Sequence, residues 1–366
     1  MNDQNRLKKE LRDLREEIDK VDDTIVELLN KRGNIVIKIG ELKDKLNMKV
    51  LQPQREKEVI ERLKNKSTIF RNSSIEAIWK EIMSASKVIQ GMINKVGYLG
   101  PKGTFTHQAA LEYFPKAGSE FIHANSSLEI FENVEKGLID FGVIPIENSL
   151  QGTVRETLDL LIEKNLIIYG EIELRIVQNL ISMKSSDLSK IQTIISHPQA
   201  FAQCRVWIKT NLPNVSLISV NSTAEAVLRV QELNDESYAA IGTEFSSHIH
   251  DLKILSSNIE DTPLNFTRFL IISKRENDHK EGKIKTSVVF VTKHTPGALY
   301  RVLKIFAEAN INLLKIESRP RRRGRWEYIF LMDFEGDKAE EKVIKIIEKM
   351  NENVIWYKIL GSYPMV

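Results

Sequence analysis

Three groups of residues in this chain have types and spacings suited to chemistry. Thr267 and Arg268 stand together in Asn265-Phe266-Thr267-Arg268-Phe269-Leu270-Ile271-Ile272, a run otherwise apolar on both alternating faces. Such a run suits a strand covered on both sides, where a hydroxyl and a guanidinium need partners. A buried cation beside a proton donor suits a small anionic ligand; the alternative is an arginine paired with an internal carboxylate. The second group is Arg15, Arg32 and Lys43. Arg32 and Lys43 share one face of a helix, about three turns apart, while Arg15 lies roughly 25 Å from Arg32 along the same helix. In an antiparallel pair of copies the partner's Arg15 would join the other two, making a cationic site on an apolar seam suited to a dicarboxylate. The alternative is a coiled coil with a register-setting arginine. The third group is a set of polar stretches at the ends of short apolar runs. They are Gly97 to His107 with Thr104, Pro145 to Val154 with Asn148, Ser149, Gly152 and Thr153, Ser196-His197-Pro198-Gln199, and Asn221-Ser222-Thr223. Each alone reads as a turn, but ligands in α/β folds bind at the carboxyl ends of strands, where all of these fall.

The elements that must position these groups follow from periodicity. Apolar residues at Leu7, Leu11, Leu14, Ile18, Val21, Ile25, Leu28, Ile35, Ile39, Leu42 and Leu46 recur three and four apart, broken only by Arg32. This predicts a helix of about forty residues, ~60 Å long, which needs a partner along its length, most simply a second copy. Pro53 suits the first turn of a second helix to about Lys64, and Ser73-Ser74-Ile75-Glu76 reads as a capping box for a third. After Lys95, short apolar runs alternate with helical stretches, predicting strands at 96–99, 141–146, 193–195, 217–220, 238–241 and 268–272 and helices near 105–114, 127–136, 154–164, 199–209 and 223–232. From about 284 the order is strand, helix, strand, strand, helix, strand, the ferredoxin-like α+β unit. The chain is therefore multidomain: all-α over 1–94, α/β over 95–275 and α+β over 284–366.

Composition narrows the function classes. With 366 residues, 42% hydrophobic, 28% charged and a net charge of +3, the chain reads as soluble globular protein with no overall bias toward nucleic acid. It carries no membrane-length apolar run and no targeting leader in its polar first residues, so a cytoplasmic location is expected. The single cysteine, Cys204, excludes an internal disulfide and reads as buried and structural. Seven scattered histidines lack metal-ligand spacing. The basic run Arg319 to Arg325 reads as a solvated hairpin turn.

Three resemblances, in order along the chain, join these groups. Leu14-Arg15-Glu16-Glu17-Ile18, Lys31-Arg32, Gly40-Glu41-Leu42-Lys43, Arg55-Glu56 and the Ser86/Gln90 pair resemble the all-helical chorismate mutases. That resemblance implies an intertwined helical dimer in which Arg15 of one copy and Arg32 of the other hold the substrate carboxylates. Lys43 and Gln90 would bind the ether oxygen, Glu56 and Ser86 the hydroxyl region, and Arg55 would support the site; Gln52 stands where the family usually has Asp. The strand-end motifs and the Thr267-Arg268 pair resemble prephenate dehydratase. This implies two α/β lobes, similar to periplasmic solute-binding proteins, with a cleft between them. Thr267 would protonate the leaving ring hydroxyl and Arg268 would hold a carboxylate or order the cleft. Thr104, Asn148, Ser149, Gly152, Thr153, Ser196, Gln199, Ser222, Thr223 and Phe269 would line it. Gly297-Ala298-Leu299 and Glu317-Ser318-Arg319-Pro320 resemble the effector-binding motifs of the ACT domain, Glu317 facing an amino acid's ammonium; Tyr300 stands where a small aliphatic residue is common. Together they imply an enzyme converting chorismate through prephenate to phenylpyruvate, restrained by L-phenylalanine, without metal or organic cofactor. The rivals are a dehydratase preferring arogenate, one whose helical segment serves only dimerisation, and a non-catalytic amino-acid sensor.

Overall fold

The computed structural model describes residues 2–46, 48, 52–277, 282–320 and 328–365. The described chain divides into two compact units, residues 1–93 with 115–119, and residues 94–114 with 120–366. Arg321 to Arg325 of the basic run lie outside the described residues.

In the first unit, α1 (Asn2–Lys45) carries the long apolar stripe, α2 (Pro53–Lys64) begins at Pro53, and α3 spans Asn72–Ile89. The capping box expected at Ser73 does not form. The helix already runs from Asn72, and Glu76, which would have closed the box, instead pairs with Lys64 at 2.8 Å and Lys80 at 2.7 Å. Those two lysines hold the Glu76 carboxyl at about 2, although burial opposes them. The stripe on α1 is bare in the single chain: Leu7, Leu14, Val21 and Leu28 are all more than half exposed.

The second unit holds three sheets. Its first lobe contains β1 (Asn94–Leu99), α4 (Phe105–Tyr113), β2 (Ser119–Ala124), α5 (Ser127–Lys136), β3 (Phe141–Asn148), β4 (Gly152–Thr153), α6 (Arg155–Glu163) and β5 (Ile167–Arg175). The second lobe follows with β6 (Asn179–Ser182), β7 (Thr193–Ser196), α7 (Pro198–Gln203), α8 (Arg205–Asn211), β8 (Ser216–Ser219), α9 (Thr223–Leu233), β9 (Tyr238–Gly242), α10 (Glu244–Ile249) and β10 (Lys253–Ser256). The chain then returns to the first lobe as β11 (Phe266–Ser273), giving sheet orders β2-β1-β3-β11-β5 and β10-β6-β9-β7-β8. The last part, β12 (Ile284–Thr292), α11 (Ala298–Glu308), β13 (Leu313–Pro320), β14 (Tyr328–Glu335), α12 (Glu341–Asn353) and β15 (Val354–Pro364), has the expected βαββαβ order in an antiparallel sheet, β13-β14-β12-β15. Strands β2, β5, β6 and β10 were not expected from the sequence, and the helix expected near 199–209 is two, divided at Cys204. In β5, at the edge of its sheet, the sequence Ile167-Ile168-Tyr169-Gly170-Glu171-Ile172-Glu173 places a glycine and two carboxylates where a strand-like run of apolar residues would be sought.

β11 is covered on both faces, as its composition requires. Phe269 and Ile271 pack with Val96, Tyr98, Phe114 and Val143, while Leu270 and Ile272 pack in a cluster that also contains Val289, Leu331, Leu360 and Tyr363 of the C-terminal part. The C-terminal sheet is thus fused to the first lobe through a shared core. Gly361 allows β15 to approach closely, because a Cβ there would collide with the Ile168 carbonyl. Lys358 donates to the carbonyl of Leu161 at 2.8 Å, at the carboxyl end of α6.

Arg268 lies in this interface. Its guanidinium bonds Glu147 at 2.8 Å, Glu171 at 3.3 Å and Asp333 at 3.2 Å, and Lys285 adds a 2.6 Å pair to Glu171. Lys315 pairs with Glu147 at 2.9 Å. Burial pushes the Glu147 carboxyl upward, but Lys315 and Arg268 together outweigh it and hold the pKa below the ordinary carboxylate range. Burial likewise opposes the Arg268 charge, and Asp333, Glu171 and Glu147 more than offset it.

Replacing Arg268 with Met would leave these carboxylates without their central cation. The expected loss of stability is about 3–5 kcal/mol, measured by chemical denaturation. A group with a depressed folded pKa stabilises fully above its unfolded value, about 4.3 for Glu, and loses that contribution as pH falls through the folded value. Lys315→Met, which raises the folded pKa of Glu147, should therefore move the acid-unfolding limb to higher pH.

Candidate active sites

The larger unit contains a cavity of about 430 Å³ walled by residues of both lobes. Of the residues expected from the sequence, Thr104, Asn148, Gln199, Ser222, Thr223, Thr267 and Phe269 line it. Alternation along β11 sends Thr267 and Phe269 to this wall and Arg268 to the opposite face. Arg268 therefore does not reach the cleft, and the alternative of an internally paired arginine is the one the structure adopts. Ser196, Ser149, Gly152 and Thr153 are also absent from the cavity wall. Ser196 is fully buried and donates to the Ile241 carbonyl at 2.8 Å, tying β7 to β9. Ser149 donates to the Leu264 carbonyl and accepts from the Phe266 N–H at 2.9 Å. Gly152 and Thr153 form β4, where Thr153 donates to Glu317 of the C-terminal sheet.

The environment of Thr267 is specific. Asn148 Nδ2 donates to Thr267 Oγ1 at 2.9 Å, and also to Asn265 Oδ1 at 2.8 Å, while Asn148 Oδ1 accepts from the N–H groups of Leu150 and Gln151. The carboxamide is thereby oriented from both ends. Because Thr267 accepts from Asn148, its own proton remains to be donated, and among the described residues no acceptor takes it. Thr104, by contrast, has both functions occupied: it caps α4 by accepting from the His107 N–H at 3.2 Å and donates to the Leu99 carbonyl at 2.7 Å.

None of the residues on this wall is Arg or Lys. Positive potential comes instead from the amino ends of α4 and α9, whose first residues lie on it. At α9, Ser222 accepts from the Glu225 N–H at 3.0 Å, and Glu225 returns a carboxylate to the Asn221 N–H at 3.1 Å. Glu225 is the one carboxylate on the wall. His197 and Asn221 of the strand-end stretches also line the cavity, and so do Gln203, Gln178 and Asn125, which were not singled out. Gln203 stands one turn beyond Gln199 on the same short helix, a spacing that could have revealed it. Gln178 lies in the crossing between lobes, and Asn125 follows the unpredicted β2, so nothing local marked either.

Two buried groups are chemically quiet. Burial pushes the Cys204 thiol well up, so it stays protonated and structural. Burial, with help from Lys102, lowers His107 to about 4; the neutral ring stacks on Tyr98 at 4.3 Å and accepts from the Gly103 N–H at Nδ1.

The helical unit has its own cavity, about 600 Å³, and Arg32, Lys43, Gln52, Arg55, Glu56, Ser86 and Gln90 all line it. Arg15 does not, consistent with its distance along α1. Arg32 donates to Ser86 Oγ, and burial lowers its pKa. Glu56 is held by Lys87 at 2.9 Å. Gln90 Nε2 donates to the Ser86 carbonyl at 3.2 Å, leaving Gln90 Oε1 buried without a partner. At the helix crossing, a Cβ on Gly40 would sit 3.1 Å from Gln90 Cγ, so a small residue there leaves room for that side chain. Gln52 makes no side-chain cap to α2.

The expected effector motifs are separated. Gly297, Ala298 and Leu299 line a third cavity with Tyr300, Gly297 in the left-handed region at φ 75°. Glu317, Ser318, Arg319 and Pro320 lie on β13 and are absent from that wall; Glu317 pairs with Lys315 at 3.3 Å, and Arg319 pairs with Asp159.

Comparison with known proteins matches three family models in order: chorismate mutase type II over residues 14–91, prephenate dehydratase over 96–277 and the ACT domain over 286–352. A bifunctional chorismate mutase/prephenate dehydratase of Aquifex aeolicus is 42% identical over 360 residues, covering 97% of this chain and 98% of the relative. A prephenate dehydratase of Methanocaldococcus jannaschii is 43% identical over 279 residues, 75% of this chain and 99% of the relative. Among solved structures, prephenate dehydratase from Arthrobacter aurescens in complex with L-Phe matches at a TM-score of 0.68 and 32% identity, covering 74% of this chain and 90% of that one. The chain therefore belongs to the bifunctional chorismate mutase/prephenate dehydratases, enzymes that rearrange chorismate to prephenate and then dehydrate and decarboxylate prephenate to phenylpyruvate.

Proposed function

We propose that the two reactions occupy the two cavities, with residues 1–94 carrying the mutase, 95–275 the dehydratase and 284–366 an L-phenylalanine-binding regulatory domain, in a cytoplasmic homodimer or higher homo-oligomer. The observation that carries the dehydratase assignment is Thr267, a hydroxyl on the cavity wall that accepts from Asn148 and has its proton free to give. In the reaction, the ring C–O bond breaks as Thr267 delivers a proton to the leaving hydroxyl. The C–C bond to the ring carboxylate breaks at the same time, its electrons completing the aromatic ring as carbon dioxide leaves. The Asn148 N–H stabilises charge developing on Thr267 Oγ1, and a proton from solvent restores the hydroxyl. The substrate's two carboxylates meet helix amino ends and side-chain amides instead of cations.

The mutase reaction has no nucleophile to supply. It needs a compact conformer and positive charge where the ether oxygen departs, and Arg32, Lys43 and the Gln90 amide lie around one cavity in support of that role. A second copy laid antiparallel along α1 would cover the bare stripe and bring its Arg15 to this cavity. The complex of the Arthrobacter relative with L-Phe supports the same effector here. Supplying chorismate and prephenate separately, with and without phenylalanine, tests the whole reading. Both should yield phenylpyruvate, and phenylalanine should suppress its formation; prephenate turnover without chorismate turnover would reduce the helical part to a dimerisation arm.

Two variants test the residue roles. Thr267→Ala should lower kcat for prephenate by about a hundredfold or more with KM changed little, the pattern of a transition-state interaction lost, and steady-state kinetics separate the two. Arg15→Ala and Lys43→Ala chains should each lack mutase activity. After mixing and exchange, about one quarter of wild-type activity should return, because half the dimers are mixed and each mixed dimer has one intact site. No recovery would show that Arg15 does not act across subunits.

A further inference from the structure

The chain crosses from the first lobe to the second in three residues, Ile176 to Gln178, and Gln178 sits on the cavity wall while only 2% exposed. Its backbone is pinned to the returning crossing: its N–H donates to Glu260 at 3.0 Å and its carbonyl accepts from Ile259 at 2.9 Å. Its side chain reaches the last residue of α7, Nε2 donating to Gln203 Oε1 at 3.1 Å. Gln178 Oε1 is buried without a partner. With Gln203 Oε1 engaged, the group that Gln203 has left for a ligand is its NH2.

We propose that Gln178 is a specificity-determining residue that acts through Gln203, fixing the pair so that N–H donors face the ligand and a substrate oxygen is selected over an ammonium. The substrate class is then the 2-oxo acid, prephenate, over its amino counterpart, arogenate. The proposal rests on the cleft beside Thr267 being the dehydration site. Reversing both amides would let Gln203 donate to Gln178 Oε1 but would leave both N–H groups of Gln178 buried without acceptors. The observed arrangement leaves one N–H and one carbonyl, and a carbonyl without a partner is the better tolerated of the two. The donor-outward state is therefore the lower in energy. The keto oxygen completes it, whereas an ammonium in its place meets another donor, and a site built around a hydrogen bond rejects an analogue that cannot make it. Glu225, the one carboxylate on the wall, is engaged by the Asn221 N–H.

Gln178→Glu tests this directly. A carboxylate has no N–H to give, so Gln203 must turn its NH2 inward and its Oε1 to the cavity. The measurement is kcat/KM for prephenate and for arogenate in wild type, Q178E, Q178L, Q203L, Q178L/Q203L and T267A, with thermal unfolding run on each. Wild type should prefer prephenate. Q178E should lower kcat/KM for prephenate about tenfold, mainly through KM, and shift the ratio toward arogenate by at least as much, the loss of one hydrogen bond to the keto oxygen being enough for an effect of that size. Q178L/Q203L should be no worse than Q203L alone, because Gln178 acts only through Gln203. The proposal is overturned if wild type prefers arogenate, if the ratio stays within about twofold in Q178E, or if the Q178L and Q203L effects add, while T267A still lowers kcat for prephenate about a hundredfold or more. If Q178E does not fold, the double-mutant comparison decides alone. Full dehydration by T267A would remove the cleft assignment and this proposal with it.

Discussion

The buried charge of Arg268 is the constraint on which the larger unit depends. A guanidinium in a strand with apolar layers on both faces is tolerable only when carboxylates surround it, and here they come from three strands: Glu147 on β3, Glu171 on β5 and Asp333 on β14. The first two belong to the lobe that carries Thr267, and the third belongs to the C-terminal sheet. The C-terminal part is consequently built into the back of the strand that carries the proposed proton donor, and the pairing register of that strand is set partly by charges on its hidden face. Arg268 stands opposite Glu147, and Thr267 opposite Asn148, so one register places the ion pair and the hydrogen bond together.

The two cavities are equipped differently for anionic ligands. The helical one is lined by Arg32, Lys43 and Arg55, with Gln90 offering a buried carbonyl that lacks a partner. The α/β one has no Arg or Lys on its wall and relies on hydroxyls, amides and helix amino ends. The contrast follows from the scaffolds. The sides of helices present side chains alone, since their N–H groups are bonded internally. An α/β lobe turns strand ends and helix amino ends toward its cleft and so has backbone donors to offer. Fixed backbone donors also bring no long side chains to be ordered when a ligand enters.

Where periodicity was strong, the elements were legible. The stripe from Leu7 to Leu46 located α1, and the C-terminal order of elements was readable throughout its described part. Where burial replaced alternation, as in the fully buried β6, no local pattern separated strand from loop. The capping box at Ser73 failed for a related reason: a motif states that a cap can form, while the competing partners Lys64 and Lys80 decide whether it does.

For the candidate sites the division is similar. The sequence by itself determined which residue types were available and in what order the three modules run, because those are properties of the chain: cations on one helical stripe, hydroxyls and amides at strand ends, and Thr beside Arg in an apolar strand. It also marked that strand as one that must be covered on both sides. Only the tertiary structure decided which side chains meet. It sent Thr267 to the cleft and Arg268 to the buried interface, turned Ser196 and Ser149 into backbone ties, and paired Thr153 with Glu317. It also put Gln178 and Gln203, 25 positions apart in sequence, on one wall. Adjacent strand residues point in opposite directions, and residues far apart become neighbours only when sheets and helices pack, so contact is a property of the folded chain alone.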